Sequence, residues 1–292
     1  MKENVNGIEY RKPKVFLLNE TGIGVAEIAA RTCYDSFDKS ENAAIFDFGT
    51  EWIDEVHQEE FVEHMQSANN IEDSKLLHDL AWVHHHHSII EHTYLQFLIK
   101  GTSRSVLQEH ARHRLQNISV RSTRYTMTDI VNAFVASLAL GDLDGPDWFV
   151  HKLLTFNMFV TTNENYNRIE ADTIFKRFYF QYITLGSEEF LNICLSKENL
   201  NNFKSIQDPE ELFKALQNGK KKRNVGDAFK HIVTDNWKVD MVVTFNLRSL
   251  KNYFDLRDSG AAYFQIKWLA EEMKKVTPEK YLKLIDKKYR KV

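Results

Sequence analysis

The spacing of hydrophobic positions changes several times along the chain, and each change marks an element. The apolar run KVFLLNE (14–20) reads as a buried strand. In IGVAEIAARTCYDS (23–36) the apolar residues fall at helical spacing. Residues 37–73 are polar with scattered aromatics and read as an insertion of short helices. SKLLHDLAWVHHHH (74–87) returns to a helix pattern, and TYLQFLIKG (93–101) reads as a strand closed by Gly101. TSRSVLQEHARHR (102–114) opens with hydroxyl residues able to cap a helix, which places Arg112 near that helix's end, with loop or strand over 115–125. Residues 126–222 are mostly helical, with loops expected near LGDLDGPD and SKENLNN. RNVGDAFKHIVTDNW is a short helix, KVDMVVTFN (238–246) alternates like a strand, and LRSLKNYFDLR (247–257) is a helix followed by two more. Without a repeat or an obvious linker, the order of elements predicts one α/β domain with helical insertions.

Composition narrows the class. A chain of 292 residues with 43% hydrophobic content can bury a sizeable core. The two cysteines, Cys33 and Cys194, make no disulfide framework, and the polar N-terminus has no apolar signal-peptide stretch, so a cytoplasmic protein is expected. No apolar run approaches membrane-spanning length. Glycine (11) and proline (4) are scarce, which weighs against glycine-cradled phosphate sites and turn-rich all-β folds.

Charge adds a local feature. The net charge is −3, yet residues 111–125 hold Arg112, Arg114, Arg121, Arg124 and His113 with no acid among them. A nucleic-acid binder is normally basic overall. A confined cluster fits one anionic small ligand, because guanidinium forks bind phosphate with charge-assisted hydrogen bonds. Ser119, Ser122 and Thr123 add hydroxyls. A solvated face with surface ion pairs is the ordinary reading of a charge run, and it fits poorly where acidic neighbours are missing.

Other motifs carry weaker signals. Eight of the twelve histidines lie between His78 and His113, four of them consecutive at 84–87. Imidazole suits zinc and iron, but four consecutive helix positions point to all sides and do not converge on one ion. His78-Asp79 matches the dipeptide that supplies the central ligands of helical metal phosphohydrolases, without further ligands in evidence. ETGIGVAE resembles the start of a dinucleotide-binding turn, with Glu27 where a third glycine belongs. Asn246 stands where a helix cap belongs, Arg248 and Asn252 share a helix face, and Leu247, Leu250, Tyr253, Phe254 and Leu256 supply the buried side. Cys33, inside an apolar helix, reads as packing.

Three segments together resemble the flavin-dependent thymidylate synthases. The family signature is Arg-His-Arg, seven residues, then Ser; here it is Arg112-His113-Arg114, LQNISVR, Ser122. HHSIIEH fits the upstream His…Glu-His element, and NLRSLKNYFDLR fits the downstream Asn-x-Arg-Ser-Leu helix. The resemblance covers roughly 24–36, 76–125 and 225–272. It implies an α/β (α+β) fold: a single domain over 1–292 with a mostly antiparallel sheet flanked by long helices, and insertions at 37–73 and 126–222. It implies that dUMP is methylated to dTMP, with methylenetetrahydrofolate as carbon donor and NADPH as reductant through FAD. His86, Ser88, Arg112, His113, Arg114, Asn246, Arg248 and Asn252 stand at cofactor positions, with His86 beside flavin and folate. Glu109, Arg112, Ser122, Thr123, Arg124 and Lys230 stand at dUMP positions. Arg257 stands where an arginine favours ionisation of the uracil ring. Val120 and Lys230 depart from the usual Glu and Arg. The resemblance further implies a homotetramer with shared sites, and neither nucleic acid nor membrane as partner. Two other classes stay open, a metal-dependent nucleotide phosphohydrolase using His78 and Asp79 and a nucleic-acid-binding module, as does a relative acting on another pyrimidine nucleotide.

Overall fold

The computed structural model describes residues 1–222 and 225–290, and of Tyr125 the backbone alone. An antiparallel hairpin opens the chain, β1 (Lys2–Val5) against β2 (Ile8–Arg11). Sequence reading placed no element there. The missed signal is Asn6-Gly7, both at positive φ (53° and 86°), the pair that a type I′ two-residue turn requires.

The second sheet has the order β3 (Lys14–Glu20), β4 (Tyr94–Ser103), β6 (Lys238–Asn246) and β5 (Gln116–Val120). β3 runs antiparallel to β4, with Val15 opposite Ile99 and Leu17 opposite Phe97. β5 runs antiparallel to β6, with Ile118 opposite Val243. The alternation puts Val15, Phe97, Ile99, Met241, Val243 and Phe245 into one core. Phe16, Leu18, Tyr94 and Val242 remain exposed on the strands. The α/β (α+β) class with an antiparallel sheet is therefore correct. β4 continues past Gly101, which turns at φ 75°, to Ser103.

The chain divides into two compact units. One comprises Met1–Lys12, Ser103–Ser105 and Arg121–Val239, the other Pro13–Thr102, Val106–Val120 and Asp240–Val292. The first is mostly helical. Phe134, on the helix Thr123–Ser137, is fully buried with its ring 5.0 Å from Phe178 and 5.5 Å from Phe175 and Phe190. The second contains the four-stranded sheet, backed by the helices Gly24–Tyr34, Lys75–Trp82, Leu247–Arg257, Phe264–Val276 and Glu279–Ile285.

Two expected loops are helices. LGDLDGPD lies in Gly141–Thr155, whose first turn carries Asp142 and Asp144, where acids meet the positive end of the helix dipole. SKENLNN enters Lys197–Ser205, where Ser196 caps by accepting the Asn199 N–H at 3.2 Å. Turn-forming composition was cap chemistry. The helix expected over 74–87 stops at Trp82, and His85 turns the chain at φ 56°. The helix expected over 102–114 spans Arg104–His110, so Arg112 lies beyond its end. The GIG turn has a packing cause. A Cβ on Gly24 would sit 2.1 Å from the Ala68 carbonyl oxygen, so glycine is needed for that close approach.

Removing the ring of Phe134 should cost about 3–5 kcal/mol, the usual range for Phe→Ala in a tight core. Urea denaturation of Phe134→Ala followed by circular dichroism should show the loss, and a midpoint equal to that of the unaltered chain would contradict this packing.

Candidate active site

Two elements of the second unit build the site. Asn246 ends β6 and caps the helix Leu247–Arg257, its side-chain oxygen accepting the Ser249 N–H at 2.8 Å. Leu247, Leu250, Tyr253 and Phe254 face the core as expected, whereas Leu256 is 52% exposed because it sits on the opposite side, beside Arg257. Below the site the buried His110 and Tyr253 meet, Nδ1 to Oη 3.1 Å. That contact joins the helix Arg104–His110 to the helix Leu247–Arg257.

Above it Arg257 acts as a clamp. Its Nε donates to His113 Nε2 at 2.9 Å, one terminal nitrogen donates to Glu109 Oε2 at 2.8 Å, and the other to the Glu109 carbonyl at 3.2 Å. Arg112 reaches the second Glu109 oxygen at 3.5 Å. Burial, then the Arg257 and Arg112 charges, push His113 down to about 4, so it is neutral and able to accept from Arg257. Burial pushes His110 down to about 3, with the neighbouring His113 and Arg257 adding to it. The His113 ring packs edge-on to Tyr253 at 4.7 Å.

A cavity of roughly 1040 Å³ opens beside this clamp. Arg112, Arg114, Arg248, Lys251 and Arg257 supply cations to its lining, and Asp255 supplies a carboxylate. Asn252, His113 and His87 add further polar groups. Arg248 pairs with Glu91, which ties the start of its helix to the segment after the histidine run. Lys251 is held between Asp255 (2.9 Å) and the Trp82 ring (5.0 Å).

The histidines divide by partner. His86 Nδ1 meets the Tyr34 hydroxyl at 3.0 Å, His87 meets the Ala81 carbonyl at 3.0 Å, and His84 and His85 are exposed. Ser88 is exposed at the start of the turn Ile89–His92. His78 is bonded to Asp73 at 2.9 Å. Among the described residues no group of three or more His, Cys, Asp or Glu is placed to hold a metal ion, so the phosphohydrolase reading has no ligand set. Cys33 is exposed near the end of its helix, and the packing role given to it is wrong; Cys194 is the buried one.

Ser122, Thr123, Arg124 and Lys230 belong to the other unit. Ser122 is the N-cap residue of Thr123–Ser137, yet its side chain makes no capping bond. Arg124 pairs with Asp227 at 2.7 Å. Lys230 is exposed, with its backbone N–H on the Gly226 carbonyl at 3.0 Å. Thus Glu109, Arg112, His113, Arg114, Arg248, Asn252 and Arg257 come together within the sheet-bearing unit, whereas Ser122, Thr123, Arg124 and Lys230 lie in the mostly helical one. Sequence reading missed Tyr34, His110 and Asp227, and the His110 partner of Tyr253, because these contacts join residues far apart along the chain.

The depressed histidines set a pH dependence. Unfolded histidine titrates near 6.5, the native rings only near 4 and 3. Between those values the unfolded chain binds protons that the native chain refuses, so stability is full above about pH 6.5 and falls as pH drops toward 3. His110→Gln should flatten that fall in urea midpoints taken at several pH values; an unchanged slope would show that the ring is not the proton-linked group.

Residues 17–281 match the sequence model of the family described as thymidylate synthase complementing protein. A flavin-dependent thymidylate synthase of Campylobacter jejuni is 28% identical over 269 residues, 92% of this chain and 93% of the relative. One from Helicobacter pylori is 25% identical over 275 residues, 94% and 97% of the two chains. A crystal structure of thymidylate synthase X from Helicobacter pylori with FAD and dUMP superposes with a TM-score of 0.55 at 23% identity, covering 96% of this chain and all of that one.

Proposed function

The chain belongs to the thymidylate synthase complementing protein family, and on that premise we propose that it converts dUMP to dTMP, with methylenetetrahydrofolate as carbon donor, NADPH as reductant and bound FAD as redox cofactor. The observation that carries this reading is the cationic cavity beside the Arg257–Glu109–His113 clamp. Its donor set fits a dinucleotide. Arginine forks suit a pyrophosphate, the Asn252 amide suits ring carbonyls, and the volume lies just above the usual ligand range of about 300–1,000 Å³. Arg112, Arg114, Arg248 and Asn252 would hold FAD, with His113 packed behind and His86 and Ser88 at the flavin's edge. Asn246 already spends its side-chain oxygen on the helix cap, so only its amide nitrogen remains for a ligand. Bound FAD supplies the electron transfer, which accounts for a site of arginines without a protein nucleophile.

The protein's own work is then binding and electrostatics. A guanidinium has five N–H donors, and Arg257 uses three on Glu109 and His113, leaving two for the pyrimidine. Held by those partners, it faces charge developing on the ring without having to reorient. Arg112 and Glu109 complete the nucleotide's base side. Ser122, Thr123 and Arg124 offer hydroxyls and a charge at the start of a 15-residue helix, an arrangement suited to the nucleotide phosphate. Lys230 adds a second charge without a fork. The same proposal includes a homotetramer whose subunits share sites, and a cytoplasmic location consistent with two unpaired cysteines. No described helix is long and apolar enough to cross a membrane.

Purified protein should be yellow, release FAD on denaturation, and form dTMP only when dUMP, methylenetetrahydrofolate and NADPH are all present. Colourless protein that makes no dTMP after FAD is added back would remove this reading.

Arg257→Ala should keep its FAD and change dUMP affinity little, while product formation falls by about 10²–10³. Arg124→Ala should do the reverse, weakening dUMP by about 1.5–3 kcal/mol, the usual worth of a charged hydrogen bond, with FAD content unchanged. Calorimetric titration of dUMP and single-turnover dTMP assays on both variants separate the roles. Equal effects of both variants on affinity and turnover would refute the division.

A further inference from the structure

Lys251 is a cation on the cavity wall that no motif singles out. Its surroundings fix it there. The side chain is only 10% exposed, with the ammonium 5.0 Å from the centre of the Trp82 ring and donating to Asp255 Oδ2 at 2.9 Å. Trp82 is itself buried and anchored, its indole N–H donating to the Lys283 carbonyl at 2.7 Å. The lysine stem is therefore held at the edge of the cavity that it helps to line.

The partner is held differently. Asp255 is 47% exposed, and among the described residues lining the cavity it carries the one carboxylate. A Lys–Asp pair four positions apart on a helix is weak, and weaker with the lysine on the N-terminal side, as here. Rotation about the Asp255 side-chain bonds takes its carboxylate into water, while Lys251 stays in place. A nearly buried cation needs an anionic partner, and a phosphate oxygen on the cavity side serves as well as the carboxylate. Arg248, one turn earlier, and Asn252 line the same wall, so an anion there meets donors from successive turns of one helix.

We propose that Lys251 is a further cofactor-binding residue, and that it exchanges Asp255, an internal counterion, for the pyrophosphate of FAD. This rests on the functional reading above, under which the cavity holds FAD. Asp255 then opposes cofactor binding, although it lies on the same helix as the residues that favour it.

The test is a fluorescence titration of FAD into FAD-stripped protein. Lys251→Met keeps the stem on Trp82 and removes the charge; it should raise the FAD Kd about 10- to 100-fold, the worth of a charged hydrogen bond. Asp255→Asn should lower it about 2- to 5-fold, the usual worth of an exposed ion pair. Lys251→Arg should lie closer to the unaltered protein than to Lys251→Met. An unchanged FAD Kd in Lys251→Met, or an unchanged or raised one in Asp255→Asn, would each overturn the proposal. Should Lys251→Met fail to fold, the half-exposed Asp255→Asn decides alone. If the unaltered protein binds no FAD, the functional reading fails, and calorimetric titration of inorganic pyrophosphate into the same variants decides whether Lys251 and Asp255 act in opposite senses on an anion. Absence of pyrophosphate binding as well would overturn both.

Discussion

One guanidinium organises the candidate site. Arg257 at the end of its helix binds the side chain and the carbonyl of Glu109 and the ring of His113. These bonds constrain their partners. Glu109 is shared between two arginines, and His113 must be neutral to accept from one of them. The arrangement is stiff because it stands on a buried contact, His110 against Tyr253, with both rings packed on Phe245. A hydrogen-bond network supported by buried, packed rings is held in its geometry before a ligand arrives. Its charge is unbalanced by design: a single carboxylate at 109 faces Arg112 and Arg257, and Arg114 lies close in sequence. The surplus is what an anionic ligand would neutralise.

The helix that carries Arg257 was legible because two independent signals agree on it. Asn246 marks its start by cap chemistry, and the spacing of Leu247, Leu250, Tyr253 and Phe254 marks its buried face. The arginine signature was legible for a similar reason, since residue types and spacing are both local. What could not be read was the partner of each arginine. The run 111–125 contains no acid, so a solvated face of surface ion pairs fitted it poorly. Yet Arg124 pairs with Asp227, 103 positions away, and the acid that Arg112 reaches, Glu109, is shared with Arg257, 148 positions away. The charge balance is set by the fold and not by the local sequence.

Composition misled in the opposite sense elsewhere. Ser, Asn, Asp and Gly serve loops, but they also cap helices. LGDLDGPD and SKENLNN belong to the second category, and only the surrounding packing tells the two apart. The histidine run shows the converse. Read as the end of a helix it pointed to all sides; with the helix ending at Trp82 and His85 left-handed, His86 and His87 acquire separate partners.

The residues proposed for the nucleotide phosphate are held by a different constraint. A Cβ on Gly226 would lie 1.9 Å from the Arg124 carbonyl oxygen, so the segment that begins at Val225 can approach Arg124 only with glycine at 226. That approach places Asp227 on the Arg124 guanidinium and fixes the turn that ends at Lys230. Arg124 and Lys230 therefore share one backbone support, although they are 106 residues apart in sequence. Replacing the usual arginine by Lys230 removes a planar fork from that support but leaves its charge. Under the proposed function the loss is tolerable, because Arg124 would supply the fork and Ser122 and Thr123 the hydroxyls at a helix start. A departure from the family pattern at one position is thus compatible with the chemistry of its neighbours, because the close contact at Gly226 keeps those neighbours in register.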